Sequence, residues 1–159
     1  MRKIASLSCG VLLTVFIVMA FTGITVAGEK ATKEECIAKC KEAAKMVKEV
    51  GLEATLKKLN DKNGSFVWKD SYVFCIDLGK GTNLAHPILP VHAGKVVTGL
   101  KDKNGKLFFA EYVKVAKSEG QGWVSYVWPK PGEKTPSQKI TYVYKVPDMN
   151  IAMLAGIYE

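Results

Sequence analysis

Three kinds of hydrophobic spacing follow one another along this chain. Residues 4–26 are apolar or small throughout and carry no charge. The next stretch has a helical period, with Cys36, Cys40, Ala43, Val47 and Val50 forming one stripe of a helix that ends near residue 50. Thr32-Lys-Glu-Glu35 supplies a capping box at its start, and Gly51 a stop at its end. A shorter helix is predicted over residues 52–59, where Leu52, Leu56 and Leu59 fall on one face, before the turn residues Asn60-Asp-Lys-Asn-Gly64. From there the period becomes two. Residues 72–77 and 82–85 read as a hairpin around Gly79-Lys-Gly81, and strands are predicted near 123–128, 139–146 and 151–157. A single helical stripe, Phe108, Phe109, Tyr112, Val113 and Ala116, interrupts them. The last three strands are joined by short Pro/Gly turns and should be antiparallel. This order predicts an α+β domain, with helices packed on an antiparallel sheet of about five strands.

Residues 120–131 hold the densest chemistry. They read as a strand entered through Gly120 and Gly122 and left through Pro129-Lys-Pro131. Side chains alternate across a strand, so Val124, Tyr126 and Trp128 share one face. A Tyr and a Trp side by side offer a broad apolar wall with an O–H and an N–H at its edge. Such a wall suits a pocket for a small, partly polar ligand, or simply core packing with the polar tips turned to water.

This strand has companions: Ser71-Tyr-Val-Phe-Cys-Ile-Asp77, the Gly-Lys-Gly turn, and Asn83-Leu-Ala-His-Pro87. Gly94-Lys95, the turn Asp102-Lys-Asn-Gly-Lys106, Lys139-Ile-Thr-Tyr142 and Ala155-Gly-Ile-Tyr158 follow in order. Over roughly residues 32–158 the set resembles the single Cache domain of type 2, a PAS-like extracytoplasmic sensor module of bacterial chemoreceptors and sensor kinases. The resemblance implies a five- to six-stranded antiparallel sheet with a long N-terminal helix and shorter helices packed on it. It also implies an organic-acid ligand of the acetate, propionate, lactate or pyruvate class. Ligand contacts would lie around His86, Tyr126, Trp128 and Lys139.

The residue chemistry agrees with such a pocket. A small carboxylate needs a fixed cation, neutral donors and apolar walls. Lys139 could supply the cation, His86 and Tyr126 the donors, and Trp128 the wall; Lys95 is the next candidate cation. Each has a plainer role too: His86 as a turn residue before Pro87, Lys139 as a solvated surface lysine. Strict alternation places Tyr142 opposite Lys139, in the core.

Charge and cysteines then set the compartment. Arg2 and Lys3 precede the uncharged run, and Thr25-Val-Ala27 places small residues just before Gly28-Glu29-Lys30. This pattern predicts a signal peptide over residues 1–27 and a periplasmic domain over 32–158. The alternative is an uncleaved anchor in the inner membrane, since the run is long enough to cross a bilayer. Without Arg2 and Lys3 the count is 21 basic against 15 acidic residues, net +6 in place of +8. Export and the interspersed acids argue against nucleic acid as the partner. Cys36 and Cys40 read as packing residues in the first-helix stripe, with a strained bridge, redox or haem role as the rival. Cys75 reads as inert core.

No enzyme signature is present. His86 and His92 are not spaced for a helical metal site, Gly79-x-Gly81 is a turn, and no Gly-x-Ser-x-Gly pattern occurs. No cofactor or metal site is expected. Nothing in the 159 residues after Tyr158 adds a second span or a signalling helix, so the expectation is a stand-alone sensor acting through a separate membrane signalling protein. The rival expectation is a ligand-free structural module of the same fold, forming a homodimer through the first-helix stripe.

Overall fold

A computed structural model describes residues 29–159; the expected signal segment and Cys9 lie outside the described residues. The chain forms α1 (Lys33–Val50), α2 (Leu52–Leu59), β1 (Val67–Trp68), β2 (Ser71–Asp77), β3 (Asn83–Ala85), a 3-10 turn at Pro90–His92, α3 (Phe108–Ser118), β4 (Gln121–Pro129), β5 (Pro136–Lys145) and β6 (Ile151–Tyr158). The strands make one six-stranded antiparallel sheet in the order β1-β2-β6-β5-β4, with β3 paired to β2. This is the expected α+β, PAS-like architecture. Among the described residues no helix is long and apolar enough to cross a membrane.

Local chemistry explains the helix boundaries. The Thr32 hydroxyl accepts the Glu35 N–H at 3.2 Å, while the Glu35 carboxylate accepts the Thr32 N–H at 2.9 Å. Two N–H groups that the first turn cannot pair are thereby satisfied. At the other end Gly51 adopts φ 87°, a conformation that strains any L side chain, and returns its N–H to Val47.

The sheet has two covered faces. On the first, Cys36, Cys40, Ala43 and Val47 of α1 pack on Val73, Cys75, Tyr142, Met153 and Ala155. The first-helix stripe is therefore spent on the chain's own sheet, and only Val50 remains exposed. This corrects the expectation that the stripe would hold a homodimer: a dimer through α1 would have to use another face. Burial raises the pKa of the Cys36 thiol to about 11 and pushes Cys40 and Cys75 upward as well. All three are free thiols, and protonated ones at neutral pH. They serve as small apolar filler.

On the second face, Phe108, Phe109, Tyr112 and Ala116 of α3 pack on Tyr72, Phe74, Leu154, Val143, Val124 and Tyr126. The long connection between β3 and α3 closes the rest of this face. It is tied to the edge strand β4 by Asp102, whose carboxylate accepts N–H groups from Asn104, Lys106 and Val127 at 2.9, 2.9 and 3.0 Å. Lys106 adds a bond from its ammonium to the Ser125 carbonyl at 2.6 Å.

Candidate functional site

The register of β4, β5 and β6 sets Tyr126, Lys139 and Tyr158 abreast on the second face. Lys139 is 1% exposed, and its stem runs over Gly156, where an added Cβ would lie 2.6 Å from Lys139 Cε and 2.5 Å from Thr141 Oγ1. Only glycine leaves that path open. The Lys139 ammonium donates to Tyr72 Oη at 3.1 Å and sits 4.4 and 4.7 Å from the ring centroids of Tyr72 and Tyr158. Aromatic faces and a phenol oxygen are partial replacements for water around a cation. No carboxylate pairs with it among the described residues. Burial pulls the Lys139 pKa down, but the phenols of Tyr126, Tyr72 and Tyr158 outweigh it and the net shift is upward. The group is an ammonium at neutral pH, a buried positive charge without a counter-ion.

A small, partly open cavity lies next to Tyr72, which accepts from this cation. Tyr72, Phe74, Asn83, His86, Leu89, His92, Leu100, Phe108, Phe109, Tyr112, Tyr126 and Trp128 line it, and its volume is about 20 Å³. That is room for one or two waters. An outer pocket of about 170 Å³ shares Tyr72, Leu89 and Trp128 with it. Those three side chains therefore form the partition between the two spaces.

The candidate residues converge, with one difference. His86, Tyr126 and Trp128 line the cavity together. Lys139 lies on the same face but reaches the cavity through Tyr72, which both lines it and accepts from the ammonium. Because Tyr72 Oη accepts from Lys139, its own hydrogen is left to donate into the cavity, polarised by the charge behind it. Lys95, the alternative cation, is exposed.

His86 is 6% exposed, so the turn-residue reading does not hold. Its ring sits 4.8 Å from that of Tyr72 and 5.3 Å from that of Phe74. Nδ1 accepts the Leu89 N–H at 3.0 Å, which leaves the hydrogen on Nε2. Burial first, then the charge of Lys139, lowers the His86 pKa to about 3. His86 is thus a neutral donor. Tyr126 Oη lies 3.1 Å from Thr141 Oγ1, and its ring stacks on Phe108 at 4.4 Å. Trp128 is half-buried at the rim, 5.3 Å from Phe108.

Two further polar atoms are buried and without a partner among the described residues: Asn83 Oδ1 and Tyr112 Oη. Tyr112 lies near enough to Tyr126 and Thr141 to feel them, but short of hydrogen-bond geometry; burial above all pushes its pKa upward. Sequence reasoning did not assign Tyr72, Asn83, Tyr112, Thr141, Gly156 or Tyr158 a role. Tyr72, Gly156 and Tyr158 stood inside quoted motifs, so a signal for them existed.

A family model described as a Cache domain (dCache_2) matches residues 41–159. The chain belongs to the Cache domain family. Among curated proteins it is 30% identical over 89 residues, 56% of this chain, to the methyl-accepting chemotaxis protein McpP of Pseudomonas putida. It is 30% identical over 90 residues, 57% of this chain, to the sensor histidine kinase MctS of Rhizobium johnstonii. These matches cover 16% and 19% of those relatives' own lengths, so the chain corresponds to less than a fifth of either. Among solved structures, the Cache domain here superimposes with TM-score 0.69 and 26% identity on a Cache chemosensory domain described for carboxylic acid recognition, covering 79% of this chain and 91% of that one. A periplasmic sensor domain of a chemotaxis protein gives TM-score 0.61 and 28% identity, covering 79% and 88%. The relatives are signalling sensors, and the Cache domain is a sensor fold.

Proposed function

We propose that this Cache domain is a periplasmic sensor that binds a short monocarboxylate in the cavity between α3 and the sheet. The observation that carries this reading is the Lys139 ammonium, buried, charged and without a carboxylate partner among the described residues. Phenols and ring faces hold this ammonium without an anion, and an anionic ligand is the simplest group that would pair with it. The Tyr72 and Tyr126 hydroxyls and the His86 Nε2–H supply neutral donors to its oxygens. Phe108 and Trp128 exclude water. The relatives' attachment to receptors and a kinase, and the carboxylic acid recognised by one structural neighbour, support the same reading. The bound state would be passed to a separate membrane signalling protein.

The small cavity favours a second reading, a ligand-free module whose core has closed over the old site. One experiment separates them: melting of the purified protein with acetate, propionate, lactate and pyruvate at millimolar concentration. A ligand at a hundred times its Kd stabilises the fold by about 2.7 kcal/mol, several degrees for a domain of this size. Binding requires the Leu89–Trp128 partition to part, so a shift is expected only for acids of two to four carbons. No shift from any of them would remove the sensor reading and leave the structural one.

A further inference from the structure

Asn83 opens β3 and is 1% exposed, yet its Oδ1 has no hydrogen-bond partner among the described residues. Its backbone is held on both sides: the N–H donates to Lys95 O at 3.0 Å and the carbonyl accepts the Gly94 N–H at 2.6 Å. The strand cannot shift to relieve the amide. Tyr112 Oη, the other unpartnered atom, lines the same narrow cavity. We propose that the ligand carries a hydroxyl beside its carboxylate, making it a short 2-hydroxy acid, and that Asn83 selects it. This rests on the carboxylate reading of the site.

The chemistry runs as a choice among three ligand classes. A plain acid brings apolar hydrogens to Asn83 Oδ1, and a 2-oxo acid brings a second acceptor; both leave the amide oxygen unpaired. A 2-amino acid brings donors, but on an ammonium. No Asp or Glu lines the cavity to receive that charge, and Lys139 already contributes a positive one. A hydroxyl can both donate and accept, so it is the group that can pair with Asn83 Oδ1, and with Tyr112 Oη on the same cavity wall, without adding charge. A site built around a ligand hydroxyl rejects the analogue lacking it more strongly than an apolar pocket rejects a missing methylene.

The test is calorimetric titration of the purified protein with D-lactate, L-lactate, propionate and pyruvate, three-carbon acids that differ at one carbon. One lactate enantiomer should bind at least about tenfold tighter than propionate or pyruvate. Asn83→Leu, which keeps the heavy-atom shape, should bring lactate down to the level of propionate. It should leave propionate no weaker, and the unliganded melting temperature no lower. If the parent protein binds propionate or pyruvate as tightly as either lactate, the hydroxy-acid inference is overturned while the carboxylate site stands. Retained lactate preference in Asn83→Leu overturns the assignment to Asn83. Should none of the four acids bind, both this inference and the sensor reading fall. The parent ranking needs no variant, so a misfolded Asn83→Leu leaves the decision intact.

Discussion

On the face of the sheet that meets α1 and α2, buried polar groups find partners inside the protein. Ser71 Oγ donates to the Gly156 carbonyl at 2.7 Å, Thr55 to Gly51 at 2.8 Å, and Tyr142 to Gln121 at 2.5 Å. Its centre mixes small and aliphatic side chains with Phe66 and Tyr142, and its thiols are kept neutral by burial. On the opposite face the same strands present aromatic rings and an ammonium with no carboxylate partner among the described residues, and two polar atoms without a partner there, Asn83 Oδ1 of β3 and Tyr112 Oη of α3, lie over them. Because side chains alternate along a strand, each face can answer to its own constraint. The first satisfies every rule of packing that the second breaks, and breaches of that kind concentrate where a ligand is expected. The difference teaches which half of the molecule holds the fold together and which half is kept ready for something else.

The comparison breaks down if the two faces are not separable. Met153, fully buried on the first face, gives the largest expected effect. Met153→Ala should cost about 2–5 kcal/mol of stability in denaturant melts while carboxylate affinity stays within about twofold. Loss of affinity in proportion to stability would show that the faces act as one. Lys139→Met should do the reverse. With the charge gone, carboxylate binding should weaken by about 10- to 100-fold by calorimetry, since a charge-assisted network is lost. The unliganded protein should lose little stability by comparison, because Met keeps the aliphatic stem and only the contacts of the ammonium with Tyr72 and the neighbouring rings go. A destabilised variant with intact binding would place the cation among the structural residues.

The smallest effect sharpens the contrast by pH. His86 has its pKa lowered from 6.5 to about 3, so it is neutral in the fold and charged on unfolding below pH 6.5. Its contribution is therefore fully present above pH 6.5 and is lost as pH falls towards 3. The slope is at most about 1.4 kcal/mol per pH unit, or about 2 kcal/mol between pH 6.5 and 5. His86→Gln should flatten that part of the stability curve in thermal melts; an unchanged slope would assign the acid sensitivity to other groups.

The helices were legible because their signals are local. Thr32 and Glu35, Gly51, and the stripe from Phe108 to Ala116 each lie within a few residues of what they control. β1 was missed, since Val67 and Trp68 are too few to show a period. Tyr126 and Trp128 could be seen as one face, and His86 and Lys139 came with the family resemblance. What no local pattern shows is register. Lys139 stands next to Gln138 and looks solvated, and only the pairing with Tyr126 and Tyr158 buries it. Tyr72 is 67 residues away from the ammonium it accepts from. Asn83 falls inside the predicted strand 82–85, where nothing in the spacing marks its amide. Its orphaned oxygen comes from the covering connection between β3 and α3, which has no regular spacing to read.

The position of β6 has a kinetic consequence. It is the last strand in chain order, yet it lies between β2 and β5 in the sheet. The β1–β3 unit and the β4–β5 hairpin cannot join until residues 151–158 slide between them, so folding must wait for contacts that are far apart in sequence. The same strand carries Gly156 and Tyr158, and so completes the cradle of Lys139 in the step that closes the sheet. No half-assembled intermediate can present the finished cradle. Ligand added during refolding should therefore leave the rate of folding unchanged and slow only unfolding, since it recognises nothing that forms earlier than the finished sheet.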